Sequence, residues 1–241
     1  MPPPPLQLMA MHGWGGDAAN WNPWRLASAE RPWSWNCGER GYGGGSPHTP
    51  AWGPEGRRVV LGHSLGPHLL PPEVLAAAEA VVLLASFGRF VPPGRGGRRL
   101  RVALEGMAAA LADRPDEATA SARAQAMLRA FLARAAAPEP VALLPSGPAD
   151  QPLGPLGRLR LRQDLAVLVG STGLPTGWPQ GVPVLLVEAG ADGIVDPEAQ
   201  TLLRQSLPQA DRLGFPGAGH ALLRADLIPA VLEWLQRSLP A

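Results

Sequence analysis

Short apolar runs separated by turn residues dominate the first third of the chain. Residues 6–11 form one such run, ending in His12-Gly13-Trp14-Gly15-Gly16. A second candidate strand covers 33–36 and precedes Gly41-Tyr42-Gly43-Gly44-Gly45. A third, at 58–61, leads directly into Gly62-His63-Ser64-Leu65-Gly66, and a fourth covers 81–85. Runs of this kind are the pattern of strands buried on both faces of a parallel sheet. After Phe87 the pattern turns helical, near 98–112 and 116–136, followed by a Pro/Gly-rich segment at 138–157. Strand signal returns at 182–188, and a helix near 197–206 follows. A weaker strand near 211–215 leads to Gly217-Ala218-Gly219-His220, and an amphipathic helix covers 228–238.

Strand and helix alternate at both ends of the chain around a helical middle. This predicts an α/β fold with a mostly parallel sheet flanked by helices and an inserted helical lid. The expected units are a first core segment at 1–87, a lid at 88–165 and a second core segment at 166–241. The chain has 241 residues, 46% hydrophobic and 17% charged, enough apolar material for a sizeable core. Its 29 Gly and 29 Pro are scattered without period, so they read as turns. All 21 positive residues are arginine. Cys37 is the sole cysteine, which excludes an intramolecular disulfide. The opening Met1-Pro2-Pro3-Pro4-Pro5 has no basic region before its apolar run, unlike a secretory signal. No stretch reaches the roughly 18 apolar residues of a membrane span. A soluble, cytoplasmic, monomeric protein without membrane association is expected. The histidines are dispersed and lack cysteine support, so neither a metal site nor a cofactor is expected.

The chemistry centres on Gly62-His63-Ser64-Leu65-Gly66, a G-x-S-x-G match. With ten serines and 29 glycines, chance supplies about 0.14 such matches, so the motif alone is only suggestive. Its position directly after an apolar strand, with a helix able to begin at Leu65, is the strand-turn-helix setting that exposes a nucleophilic serine. A serine hydroxyl needs a base. In the chain order serine, acid, histidine, only His220 of the five histidines lies late enough; His63 is expected to point away from Ser64. The acid that orients the imidazole should follow the penultimate strand. Asp192 and Asp196 both qualify, but Asp196 precedes Pro197 and reads as a helix N-cap, which favours Asp192. For the oxyanion, the backbone N–H groups of Leu65, aided by the dipole of an elbow helix, and of Trp14 are the candidate donors. The Trp14 indole is also placed to line the acyl pocket.

These features together resemble the α/β-hydrolase superfamily. The closer resemblance is to pimeloyl-acyl-carrier-protein methyl ester esterases of biotin synthesis, BioH-type enzymes and their compact cyanobacterial counterparts. It rests on His12-Gly13-Trp14-Gly15, Ser64-Leu65-Gly66, Ala191-Asp192-Gly193-Ile194-Val195 and Ala218-Gly219-His220. In the lid it rests on Arg129-Ala130-Phe131-Leu132-Ala133 and Leu159-Arg160-Leu161-Arg162-Gln163-Asp164-Leu165. The resemblance implies that Phe131, Leu132 and Ala135 line the acyl chain. It implies removal of the methyl group from a carrier-bound dicarboxylate ester. A general carboxylesterase, a thioesterase, a perhydrolase or a non-catalytic binding protein are the alternatives. The sequence departs from the family where Pro67-His68 and Pro71-Pro72 follow the elbow, and where Cys37-Gly38-Glu39-Arg40 replaces an Asp-x-Pro-Gly stretch.

Charge is divided along the chain. Residues 88–165 hold 12 arginines and 7 acids, a net of +5, whereas the rest carries −4. A basic lid beside a pocket mouth suits an acidic acyl carrier protein, with Arg123, Arg129 and Arg134 as candidate contacts. A solvated helix face accounts for the same arginines equally well. The small basic excess without a recognition motif argues against nucleic acid.

Overall fold

The computed structural model describes residues 5–239. Six strands form one sheet: β1 (Leu6–Met11), β2 (Trp33–Cys37), β3 (Arg57–His63), β4 (Ala80–Leu84), β5 (Val184–Ala189) and β6 (Asp211–Phe215). Their order is β2-β1-β3-β4-β5-β6, and every neighbouring pair is parallel. The helices are α1 (Asn22–Ala27), α2 (Pro72–Ala76), α3 (Gly94–Ala110), α4 (Glu117–Ala136), α5 (Pro155–Gly170), α6 (Pro197–Ser206) and α7 (Leu227–Ser238).

The central strands β1, β3, β4 and β5 are largely apolar because both faces of the sheet are covered there, whereas the edge strands β2 and β6 are partly exposed. Leu8, Ala10, Val59, Leu61, Val82 and Val187 point to one side and pack with Trp21, Trp24 and the α7 residues Val231, Trp234 and Leu235. Met9, Met11, Val60, Val81 and Leu83 point to the other and meet Val74 and Leu75 of α2 and Leu203 of α6. A third cluster joins Trp14 and Leu65 to the helices between β4 and β5, through Leu104 of α3, Leu128 of α4 and Leu161 and Leu165 of α5. The helical segment therefore has its own apolar seam above the sheet. α5 runs through position 165 to Gly170.

The chain moves from β1 outward to β2 and then returns to β3 on the other side of β1. Such a reversal leaves a crevice at the carboxyl ends of the two diverging strands, the usual ligand position in open α/β sheets. The loops leaving β1 and β3 are those beginning at His12 and Ser64.

Beyond the elbow the structure corrects one expectation. No long helix starts at Leu65. A single 3-10 turn covers Gly66–Leu69, and α2 has only five residues. Pro71 and Pro72 have no N–H to donate backward, and the residue before each proline is driven out of the helical region. Leu70 and Pro71 accordingly take ψ values of 144° and 139°. The helix dipole expected to assist the Leu65 amide is thus reduced to one short turn.

Arg158 of α5 fastens the lid. It is 1% exposed, and its guanidinium donates to both Glu117 carboxylate oxygens, to Asp113 Oδ1 and to the Leu153 carbonyl. Removing the buried cation leaves carboxylates that water can reach, whereas neutralising Glu117 takes away its bidentate partner and leaves the buried charge with Asp113 as its remaining ion pair. Glu117→Gln is therefore expected to lower the melting temperature more than Arg158→Met, as thermal unfolding followed by circular dichroism would show. The opposite ranking would mean that the pair is held apart from the lid core.

Candidate active site

Ser64 is the first residue after β3 and takes a left-handed conformation with φ of 54°. For a residue with a side chain this is a strained geometry that persists only when its surroundings impose it. Those surroundings are specific. The Ser64 N–H donates to Leu84 O at 2.9 Å, and its carbonyl accepts from Ser86 Oγ at 2.7 Å. A Cβ on Gly66 would collide with the Met11 carbonyl, and one on Gly13 would come to 2.9 Å from Ser64 Cβ. Only glycine at both positions lets the loops leaving β1 and β3 touch. Gly62 plays a further part, because a side chain there would strike the Pro67 ring.

Contact between these loops sets the amides around Ser64. The Gly13 carbonyl accepts from the Gly16 N–H and meets His12 Nδ1 at 2.8 Å. Across the trans peptide the Trp14 N–H must point the opposite way. No acceptor among the described residues takes up the N–H of Trp14 or of Leu65, although both residues are buried. Buried amides without partners are rare. Burial lowers the His12 pKa, so its ring is neutral and accepts from the Arg40 N–H through Nε2.

His220 and Asp192 complete the constellation. Ser64 Oγ lies 2.9 Å from His220 Nε2, and His220 Nδ1 lies 2.9 Å from Asp192 Oδ2. The other Asp192 oxygen accepts from the amides of Ile194 and Val195 at 2.8 and 2.9 Å. Burial pushes the Asp192 carboxyl up, but the hydrogen bond and charge of His220, with the Val195 and Ile194 amides, outweigh it. The net pKa lies below the ordinary 3.8, so the carboxylate is ionised at neutral pH. The loops bearing the two residues are tied by the Ala191 N–H donating to Ala218 O at 2.9 Å. Asp196 instead caps α6, accepting from the Glu198 N–H at 2.8 Å. The structure thus separates the two candidate acids as the Pro197 signal indicates.

His63 departs from its expected orientation. It lines the same cavity as Ser64, and its Nε2 meets the His220 carbonyl at 3.0 Å. Burial first, then the neighbouring His220, lowers its pKa from the ordinary 6.5 to about 4. A neutral ring that donates Nε2–H to that carbonyl steadies the His220 backbone without adding charge beside the imidazole. The lid holds the same loop from the other side. The Ala221 N–H donates to Ala135 O at 2.9 Å, and Gly219 has no room for a side chain against the Ala137 carbonyl. His63, Ser86 and the Ala135 carbonyl escape a reading of the sequence. Each acts through a partner at least 22 residues away, and all three contacts are made to a backbone carbonyl.

A cavity of about 390 Å³ opens beside Ser64, within the ~300–1,000 Å³ range of small-molecule sites. Phe131, Leu132 and Ala135 line it together with Trp14, Leu143 and Leu144. The Trp14 ring meets Phe131 edge-on at 4.9 Å and donates its Nε1–H to Leu161 O, which fixes the wall. Arg123, Arg129 and Arg134 lie exposed on α4, and Arg129 Nε also donates to Ala149 O at 3.1 Å. Met107 and Met127 pack within the lid seam. No helix of the described residues is long and apolar enough to cross a membrane.

No family model and no curated protein sequence matches the chain. Solved structures do. The chain is similar to an esterase from Exiguobacterium antarcticum, with 16% identity over 96% of this chain and 92% of that one and a TM-score of 0.68. It is similar to the enol-lactonase from Burkholderia xenovorans, with 19% identity, 95% and 91% coverage and a TM-score of 0.66. An esterase from a Rhodococcus species matches at 19% identity, 98% and 91% coverage and a TM-score of 0.62. These likenesses establish the α/β-hydrolase fold.

The depressed His63 pKa has a consequence for stability. A histidine held neutral by the fold contributes stability that is complete above 6.5 and is lost as pH falls from 6.5 through 4. Urea unfolding at pH 7 and pH 4 is expected to show a smaller drop in stability for His63→Gln than for the parent. An identical drop would mean that His63 titrates normally.

Proposed function

We propose that this chain hydrolyses carboxylic esters through an acyl-enzyme on Ser64. The observation that carries the reading is the unbroken chain from Ser64 Oγ through His220 to an ionised, buried Asp192, at 2.9 Å for each contact. His220 Nε2 takes the Ser64 proton as Oγ bonds to the ester carbonyl carbon. The Trp14 and Leu65 N–H groups stabilise the oxyanion; such a donor contributes about 3–4 kcal/mol to the barrier in related chemistry. The C–O bond to the alcohol then breaks, and His220 returns the proton to the leaving oxygen. Water repeats the sequence on the acyl-enzyme, with His220 again as base, and releases the acid. The esterases and the lactonase among the similar structures agree with this chemistry.

For the substrate, the reading is the methyl ester of a pimeloyl chain on an acyl carrier protein, which places the chain in biotin synthesis in the cytoplasm. Two features support it. The lid motifs resemble those of such esterases, and α4 both lines the cavity with Phe131, Leu132 and Ala135 and exposes Arg123, Arg129 and Arg134. An acidic carrier resting on that face would present its acyl chain to Ser64. The protein acts as a monomer without cofactor.

Mass spectrometry of pimeloyl-carrier-protein methyl ester after incubation with the enzyme tests this directly. Loss of the methyl group with the thioester intact is the expected result. Loss of the whole acyl chain would make the protein a thioesterase. An unchanged substrate, with small aryl esters still cleaved, would leave ester hydrolysis standing and remove the carrier-bound substrate.

A further inference from the structure

One face of α5 presses on the stretch that follows β2. Gly157, Arg160, Leu161 and Asp164 recur at helical spacing on that face. Gly157 has no room for a side chain against the Tyr42 carbonyl, and Arg160 donates to the carbonyls of Gly41 and Gly45 at 2.8 and 3.1 Å. Asp164 is 1% exposed and accepts three hydrogen bonds: from Arg40 Nε at 2.7 Å, from Arg40 Nη2 at 2.6 Å and from the Tyr42 hydroxyl at 2.6 Å. A bidentate pair between arginine and carboxylate fixes geometry besides adding energy.

Two chains of contact lead from this helix to the loop that begins at His12. The first runs through Arg40. Asp164 holds its side chain, while its backbone N–H donates to His12 Nε2 at 3.3 Å. The Tyr42 ring meets the His12 ring edge-on at 5.7 Å. His12 is neutral, so with Nε2 accepting, its proton sits on Nδ1 and is donated to the Gly13 carbonyl at 2.8 Å. That carbonyl shares a peptide plane with the Trp14 N–H. The second chain starts one turn earlier on α5, where the Leu161 carbonyl accepts the Trp14 indole N–H at 2.8 Å. Trp14 is thus held at its backbone and at its ring by groups that α5 sets.

We infer that Asp164 is a positioning residue for the oxyanion hole, acting through Arg40 and His12 on the peptide between Gly13 and Trp14 while Leu161 holds the Trp14 ring. The helix that returns from the lid thereby aims a donor at the charge that develops on the substrate. The inference rests on ester hydrolysis at Ser64. It applies to every ester alike, because the oxyanion forms on the carbonyl under attack, whatever acyl chain follows.

Asp164→Asn keeps the shape of the side chain and removes the charge that binds Arg40. It is expected to lower kcat by about tenfold to a hundredfold, short of the roughly hundred- to thousandfold lost when such a donor is removed outright, with KM held to within about twofold. A trifluoromethyl ketone, whose adduct with Ser64 places an oxyanion in the hole, should lose affinity by the same factor as kcat/KM. The matching alcohol, which binds without an oxyanion, should lose none. Tyr42→Phe leaves the pair of Arg40 and Asp164 in place and serves if Asp164→Asn does not fold; a smaller fall in kcat with a proportional fall in ketone affinity is expected. Unchanged kcat in a folded variant, or a rise in KM with kcat held, would overturn the inference and leave Asp164 a structural anchor. Hydrogen exchange of residues 12–16 reads the loop without turnover. Faster exchange there in Asp164→Asn, with β3 and β4 unchanged, supports the positioning role even if no ester is cleaved, and exchange equal to that of the parent overturns it. A parent that cleaves no ester while its loop responds in this way would count against the ester-hydrolysis reading alone.

Discussion

Everything at the site depends on how closely two backbone turns approach. The loop after β1 and the turn after β3 meet because Gly13 and Gly66 present no side chain to Ser64 and to the Met11 carbonyl. That contact has three consequences at once. It holds Ser64 in a left-handed conformation, turns the Trp14 amide away from the donors that the Gly13 carbonyl accepts from, and leaves the Leu65 amide without a partner among the described residues. Preorganised donors of this kind act because they need not reorient as charge develops. The parallel sheet supplies the rigidity, since β1 and β3 are paired along their length and covered on both faces.

The base is held from two directions. From the sheet side, His63 reaches the His220 carbonyl; from the lid side, the Ala135 carbonyl accepts the Ala221 N–H. The lid is thus part of the machinery that places His220, besides forming the cavity wall. It is fixed in turn by Arg158 to Glu117 and Asp113, and by Arg40, which grips Asp164 of α5 with two hydrogen bonds of 2.6 and 2.7 Å. Arg40 lies in the Cys37-Gly38-Glu39-Arg40 stretch after β2, and Asp164 lies on α5, so the contact is an ion pair between the core and the returning lid helix.

Much of this was legible in the sequence, and the reasons are local. Apolar runs marked the central strands β1, β3, β4 and β5 to within two residues, because burial on both faces leaves no alternation to misread, while the partly exposed edge strands β2 and β6 gave a weaker signal. The elbow was legible from five consecutive residues, and Asp192 was separated from Asp196 by the N-cap signal of Asp-Pro. What stayed hidden was non-local or antagonistic. The role of His63 depends on a carbonyl 157 residues away. The unsatisfied Trp21 indole is visible only once its neighbours are placed. The short turn after the elbow followed from Pro71 and Pro72, whose effect on the helix outweighed the strand-turn-helix expectation. α1 was missed because six residues carry too little period to register.

The central claim is that Ser64 is a nucleophile made reactive by His220. Labelling with a fluorophosphonate, followed by peptide mapping, tests it most directly. The account predicts a single adduct on Ser64 in the parent, formed quickly and in stoichiometric yield, and labelling slowed by orders of magnitude in His220→Ala. Equal labelling rates in the two proteins, or an adduct elsewhere than Ser64, would contradict it.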